Sequence, residues 1–201
     1  MKSIFDFIVS LLGLIILLPL FVILSLLVFF NDKGPVFFKQ WRVGKDGRMF
    51  VLYKFRSMKV LEAGTEACFE PGNTSRITRV GKIIRKTKLD ELPQLINVLK
   101  GEMSLVGPRP EIKKWVDAYP EKWKLILSIK PGITDNASLA FRNEESLLAE
   151  SMDPETTYRE IILPEKLELY EQYTLNHTFT GDLKLIMKTL ITIFKNKPPN
   201  S

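Results

Sequence analysis

The chain has 201 residues, with 29 Lys or Arg against 23 Asp or Glu and a formal net charge of +6. A single cysteine, Cys68, excludes an internal disulfide and fits a reducing compartment. A single histidine, His177, excludes a multi-histidine metal site and a conventional serine or cysteine triad, so carboxylates and cations must carry any catalysis.

The first element is an apolar segment from Ile4 to Phe30, broken only by Asp6, Ser10, Gly13, Pro19 and Ser25. At about 27 residues it is too long for a signal-peptide core and no small-residue cleavage site comes after it, so it is expected to stay in the mature protein, within a membrane. Pro19 removes one backbone hydrogen bond and clashes with the carbonyl of Ile15, which predicts a kink or break. As helices, Ile4–Leu18 would rise about 22 Å and Leu20–Phe30 about 16 Å, each short of a hydrocarbon core of roughly 30 Å. A kinked span and a helix-break-helix that enters and leaves one leaflet both satisfy this arithmetic. Lys33, Lys39, Arg42, Lys45, Arg48, Lys54, Arg56 and Lys59 crowd the C-terminal flank and place the bulk of the chain on the cytoplasmic side.

Val36–Trp41 and Met49–Phe55, separated by Gly44-Lys45-Asp46-Gly47, read as a β-hairpin. Glu62–Ser75, with Gly64, Pro71, Gly72 and Asn73, reads as a loop, and Ile77–Thr87 as a short helix. Helices are expected at Glu111–Ala118, Glu121–Ser128, Asp153–Tyr158 and Pro164–Thr174, with Pro131-Gly132 as a stop. Asp182–Asn196 is strongly amphipathic: Leu183, Ile186, Met187, Leu190, Ile191 and Phe194 share a face that suits either the core or a membrane interface. Trp115 and Trp123 carry the same two readings, with core packing the simpler. The elements add up to an α+β chain: an anchor at 1–30, then one mainly helical unit with a small hairpin at 31–201.

Charge is uneven along that unit. Between Asn31 and Lys88 there are 14 Lys or Arg against five Asp or Glu, whereas Glu111–Ser201 has 12 against 14. The basic half adjoins the apolar segment, which favours anionic headgroups or an anionic substrate. Nucleic acid is not indicated, because no helix-turn-helix, zinc-finger or aromatic RNA-binding signature is present.

The chemistry concentrates in Arg85–Pro110, RKTKLDELPQLINVLKGEMSLVGPRP. Asp90 falls at the N-cap or first turn of a helix, Pro93 is tolerable only near a helix start, and Leu92, Leu95, Ile96 and Leu99 mark an apolar face before Gly101 ends it. Backbone N–H groups and the helix dipole favour an anion there, and Arg85, Lys86 and Arg109 could neutralise phosphate oxygens. On the residues alone, ordinary helix capping, an Asp cap followed by a first-turn Glu, is the leading reading of Asp90 and Glu91.

The ordered blocks Lys2-Ser3-Ile4-Phe5-Asp6, Gly34–Gln40, Arg42-Val43-Gly44, Tyr53–Met58, Leu89–Leu95, Asn97–Ser104, Val106–Pro110 and Lys130–Thr134 together resemble the bacterial sugar transferase family. Its members are the monotopic phosphoglycosyl transferases that start glycan assembly on a polyprenyl phosphate. The resemblance implies that Asp90 is the nucleophile, that Glu91 beside it helps bind Mg2+, and that Lys54, Arg85 and Arg109 surround the phosphates. It also implies a re-entrant membrane helix broken at Pro19, with both ends on the cytoplasmic face of the bacterial inner membrane. The implied partners are a UDP-sugar, undecaprenyl or another polyprenyl phosphate, and membrane lipids, with a homodimer left open. Leu18-Pro19 stands where many relatives carry Ser-Pro. Asp135–Asn143 stands where they carry a glycine-led segment, a difference that bears on nucleotide or sugar specificity. A membrane-tethered adaptor would bind lipid without turnover, and a polyprenyl-phosphate hydrolase would pass the acyl phosphate to water.

Overall fold

The computed structural model describes residues 1–60 and 75–195. The loop expected at Glu62–Ser75 lies outside them except for Ser75, as do Cys68 and Asn196. The apolar segment forms two helices, α1 (Lys2–Ile16) and α2 (Leu18–Asn31), bent by 64°. The bend falls at Leu17, and Pro19 occupies the first turn of α2, where its missing N–H costs no intrahelical bond. Among the described residues no single helix is long and apolar enough to cross a membrane. Two arms of about 22 and 21 Å meeting at this angle put the elbow about 11 Å from the line joining their ends.

Both ends of the pair are tied to the rest of the chain by polar contacts. Lys2 pairs with Asp182, whose other oxygen accepts from Tyr173 Oη at 2.7 Å. Asp6, buried, accepts from Ser104 Oγ at 2.7 Å and from the Leu105 amide at 3.4 Å. At the far end Arg56 holds Asp32 through its carbonyl and carboxylate, while Leu24 and Val28 pack on Phe55 and Ile84. At the elbow Ile15, Ile16 and Leu18 are exposed.

The hairpin forms as expected: β1 (Phe37–Val43) pairs antiparallel with β2 (Met49–Phe55), Phe37 opposite Phe55 and Val43 opposite Met49. Asp46 and Gly47 take positive φ in the short helical turn that joins them. Then α3 (Arg79–Lys86) is capped by Thr78 Oγ1 accepting from the Gly81 amide at 2.9 Å. Next comes α4 (Gln94–Leu99), which ends as predicted at Gly101 with φ 76. Its apolar positions turn toward α1, where Leu95 meets Gly13. The face buried against the hairpin pairs an apolar contact, Val98 on Phe50 and Leu52, with a polar one: Asn97 Oδ1 accepts from the Tyr53 amide at 3.1 Å, and its Nδ2 donates to Val51 O and Glu102, both at 2.7 Å.

A second sheet was not legible in the sequence. It pairs β3 (Ser104–Val106) in parallel with β4 (Gly132–Thr134), and a Cβ at Gly132 would overlap the backbone of Gly107. The helices α5 (Lys113–Ala118) and α6 (Pro120–Ile126) match the expected pair, and α7 (Asn136–Ala140) and α8 (Glu144–Ala149) were not anticipated. The two remaining expected helices run together as α9 (Pro154–Thr157), a π-helical segment at Tyr158–Ile162, and α10 (Leu163–Asn176). Trp115 and Trp123 are both core, packed with Ile126, Leu163, Leu167 and Tyr170. Finally α11 (Phe179–Lys195) rests on β4 through Thr189, whose Oγ1 lies 2.7 Å from that of Thr134. It leaves Leu183, Met187, Leu190 and Ile191 exposed. Phe5 meets Phe179 edge to face at 5.2 Å, so this stripe begins beside the start of α1.

Candidate active site

Asp90 and Glu91 sit on a one-turn 3-10 helix, Leu89–Glu91, wedged between α3 and α4. Lys88, in the left-handed region at φ 57, makes the sharp entry, a conformation that costs a non-glycine residue about 1 kcal/mol. Both acids are buried and neither caps the turn or α4, so the capping alternative does not describe them. They differ in their partners. Glu91 Oε1 accepts from Lys54 of β2 at 2.8 Å and from Arg109 Nη2 at 2.6 Å, and its Oε2 lies 3.4 Å from Arg109 Nη1. Asp90 Oδ1 is buried with no hydrogen-bond partner.

The electrostatics follow from this division. Burial alone would raise Glu91, but Arg109 and Lys54 outweigh it and hold the carboxyl well below the usual range. Arg109 is correspondingly raised by Glu91, while burial pushes Lys54 down against the pull of the same carboxylate. Burial raises Asp90, opposed by Lys54, reinforced by the Glu91 charge, and opposed again by Lys88 and Arg85. Asp90 is thus a desolvated carboxyl with an open oxygen inside a cationic rim, which suits attack on an anionic centre.

Of the five residues expected at the site, Lys54, Glu91 and Arg109 are in direct contact, and Asp90 adjoins them. Arg85 diverges: its guanidinium pairs with Glu145 and donates to Ser57 Oγ at 3.3 Å, acting on Asp90 only through its charge. Sequence reasoning missed Lys88, whose charge acts on both acids. It also missed a buried network behind Arg109. Glu111 accepts from Arg42 at 3.1 Å and from Tyr158 Oη at 2.6 Å, and Lys166 lies 3.7 Å from it and 3.1 Å from Glu144. Burial would raise Glu111, yet Lys166 and Arg42 keep it low and charged. This network fixes the chain immediately after Arg109, and only a fold that brings Arg42, Glu111 and Lys166 together could reveal it.

No group of three or more His, Cys, Asp and Glu side chains that could hold a metal occurs among the described residues. Mg2+ typically takes one or two carboxylates and completes its shell with phosphate oxygens and water. The adjacent carboxyls of Asp90 and Glu91, one with an oxygen to spare, fit that demand.

Glu91→Gln leaves the half-buried Lys54 and Arg109 without their anion and is expected to cost about 2 kcal/mol at pH 7. Because Glu91 is depressed when folded, its contribution is present above the ordinary value of 4.5 and lost as pH falls toward the lower folded value. Urea unfolding of parent and variant should therefore converge as pH drops below 4.5. A gap that stays constant to low pH would contradict the ion-pair assignment.

A buried acid pair in a cationic rim thus lies on the same chain as a bent apolar helix pair, a combination that suits an anionic ligand at an apolar boundary. The sequence profile of the bacterial sugar transferase family matches residues 1–196. The UDP-glucose:undecaprenyl-phosphate glucose-1-phosphate transferase of Klebsiella pneumoniae is 37% identical over 199 residues, covering 98% of this chain and 40% of that protein. The undecaprenyl-phosphate galactose phosphotransferase of Salmonella typhimurium is 35% identical over 210 residues, covering 97% of this chain and 40% of that protein. The exopolysaccharide production protein ExoY of Sinorhizobium fredii is 32% identical over 204 residues, covering 94% of this chain and 83% of that protein. The chain therefore belongs to the bacterial sugar transferase family, and it spans less than half the length of the first two of these relatives.

Proposed function

We propose that the protein moves a phosphosugar from a UDP-sugar to undecaprenyl or another polyprenyl phosphate. The carrying observation is Asp90, buried beside Glu91 with one carboxylate oxygen open and cations around it. In the first step an Asp90 oxygen bonds to the sugar-bearing phosphorus, and the phosphoanhydride bond breaks with its electron pair leaving on UMP. In the second, a phosphate oxygen of the polyprenyl acceptor attacks that phosphorus, and the aspartyl–phosphorus bond breaks to restore the carboxylate. Lys54 and Arg109 bind phosphoryl oxygens as their pairing with Glu91 is shared with substrate, and Arg85 and Lys88 add positive potential at the rim. Mg2+, held by Asp90 and Glu91, would neutralise diphosphate charge.

The anchor supports the same reading, since the acceptor's hydrocarbon chain lies in a bilayer while the donor is soluble. An elbow about 11 Å deep, with both ends tied to one domain through Asp6, Lys2 and Arg56, fits entry into one leaflet and return, against a hydrocarbon core of roughly 30 Å. Residues 1–30 then form the membrane-embedded part and 31–201 the cytoplasmic catalytic part, with the exposed stripe of α11 lying in the interface of the bacterial inner membrane. A cysteine at the exposed position of Ser3, made as Ser3→Cys in a Cys68→Ser background, should react with impermeant maleimide in inverted vesicles and stay unlabelled in intact spheroplasts. Labelling from the periplasmic side would overturn the re-entrant reading.

Purified protein given Mg2+, undecaprenyl phosphate and UDP-glucose, UDP-galactose or UDP-N-acetylgalactosamine should release UMP and form a lipid-linked product with at least one donor. Lipid binding with no turnover on any donor would favour the adaptor, and inorganic phosphate released from the polyprenyl phosphate would favour the hydrolase.

A further inference from the structure

Gln94 opens α4 three residues after Glu91 and four after Asp90. The linking residues Leu92 and Pro93 both have right-handed helical φ and ψ. At 100° to 120° per residue, such a path brings the Gln94 side chain out within about 60° of Glu91, on the side of the acid pair. Gln94 is 2% exposed, and its Nε2 has no hydrogen-bond partner. Its helix neighbour Asn97, equally buried, has both ends of its amide engaged, on Tyr53, Val51 and Glu102. The same short helix thus satisfies one buried amide and leaves the donor of the other without a partner, one turn after an acid pair that itself has an unpartnered carboxylate oxygen.

A buried amide donor without a partner weakens the folded state, and such a group in a native protein calls for an explanation. Chemistry supplies one here. Lys54 and Arg109 are already engaged by Glu91, and a further cation beside the acids would be drawn into the same pairing. A neutral donor is not, so it remains available to an incoming oxygen. We infer that Gln94 is a further substrate-touching residue of the transfer, its side-chain amide donating to a non-bridging oxygen of the phosphoryl group that Asp90 attacks. This rests on the phosphosugar-transfer reading and adds to it a neutral donor placed to orient the phosphorus toward the open Asp90 oxygen.

Gln94→Met keeps the length of the side chain and removes the donor. The variant should melt at or above the parent, because an unsatisfied polar group is gone, and its kcat/KM for the UDP-sugar should fall about 10- to 100-fold. A purely structural role moves these readouts the other way, lowering the melting temperature and leaving the turnover of folded protein intact. Parental kcat/KM in Gln94→Met overturns the inference. Should that variant lose its melting transition, Gln94→Glu, which keeps the shape and lacks the donor at neutral pH, decides: parental turnover per folded molecule overturns the inference, and a loss with a parental melting temperature supports it. Parent protein measured alongside separates the two levels. An inactive parent defeats the transfer reading itself, whereas an active parent matched by its Gln94 variants defeats only the role of Gln94.

Discussion

Asp90→Asn should reduce transfer by at least about 10⁴-fold while leaving the protein folded and slightly more stable at neutral pH. The activity loss follows from the chemistry, because an amide oxygen is a poor nucleophile and cannot form the acyl phosphate. The stability gain follows from the environment. Burial raises Asp90 above its ordinary 3.8, so between the unfolded and folded values the native state binds the extra proton and stability declines with rising pH. Above the raised folded value the whole desolvation penalty is present, and the neutral amide removes it. Neither acid caps a helix here, so no cap is lost in exchange. Parallel measurement of turnover and thermal unfolding checks both halves: surviving turnover would sink the nucleophile assignment, and a collapse of the melting transition would mark Asp90 as structural.

Gly132→Ala is the substitution expected to do most damage to the fold. A Cβ there would overlap the amide and carbonyl of Gly107 on the neighbouring strand, contacts made by backbone that cannot swing away. Besides the strand pairing itself, the crossing is held by hydrogen bonds from Ser104 N to Pro131 O at 2.8 Å, Gly132 N to Pro108 O at 2.9 Å and Gly107 N to Thr134 O at 3.1 Å. Separating the strands should cost about 3 kcal/mol or more, and it would displace the Val106–Pro110 segment that carries Arg109. Gly47→Ala is a contrasting control: Gly47 has a positive φ, 75°, which Gly132 does not, and nothing lies within 4 Å of its added Cβ. Its cost should stay near 1 kcal/mol with turnover unchanged. A cost at Gly132 no larger than that at Gly47 would show that the close approach of β3 and β4 does not set the requirement for glycine there.

The elements legible in advance were those whose cause is local. Gly44 to Gly47 between two aromatic and branched runs gave the hairpin, and continuous apolarity with Pro19 gave the broken anchor. What escaped depends on distant partners. Strands β3 and β4 are three residues each, too short for any periodicity, and they pair because two glycines let backbones 25 positions apart touch. The apolar face of α4 was visible, but its partner, the anchor helix, was not, and the more buried side proved to be Gln94, Asn97 and Val98. At the site, the acid pair stood out by its motif. The charge pattern around the acids pointed to Arg109 and the family resemblance added Lys54, while Arg85, placed as well as Arg109 by sequence, is drawn to Glu145 on α8, a helix with no sequence signal strong enough to predict. Asp6 is one of the few polar breaks in the apolar segment. Its pairing with Ser104 is what fastens the anchor to the strand that leads into the Arg109 segment.

The covalent step is the claim most open to direct test. Protein incubated with Mg2+ and a UDP-sugar labelled in the sugar, with no polyprenyl phosphate, should release UMP and take up label in a one-to-one ratio. Hydroxylamine should discharge that label, Asp90→Asn should acquire none, and double-reciprocal plots with both substrates varied should be parallel. An absence of trappable label together with intersecting lines would show that both substrates must be bound at once, and Asp90 would then not carry the sugar phosphate.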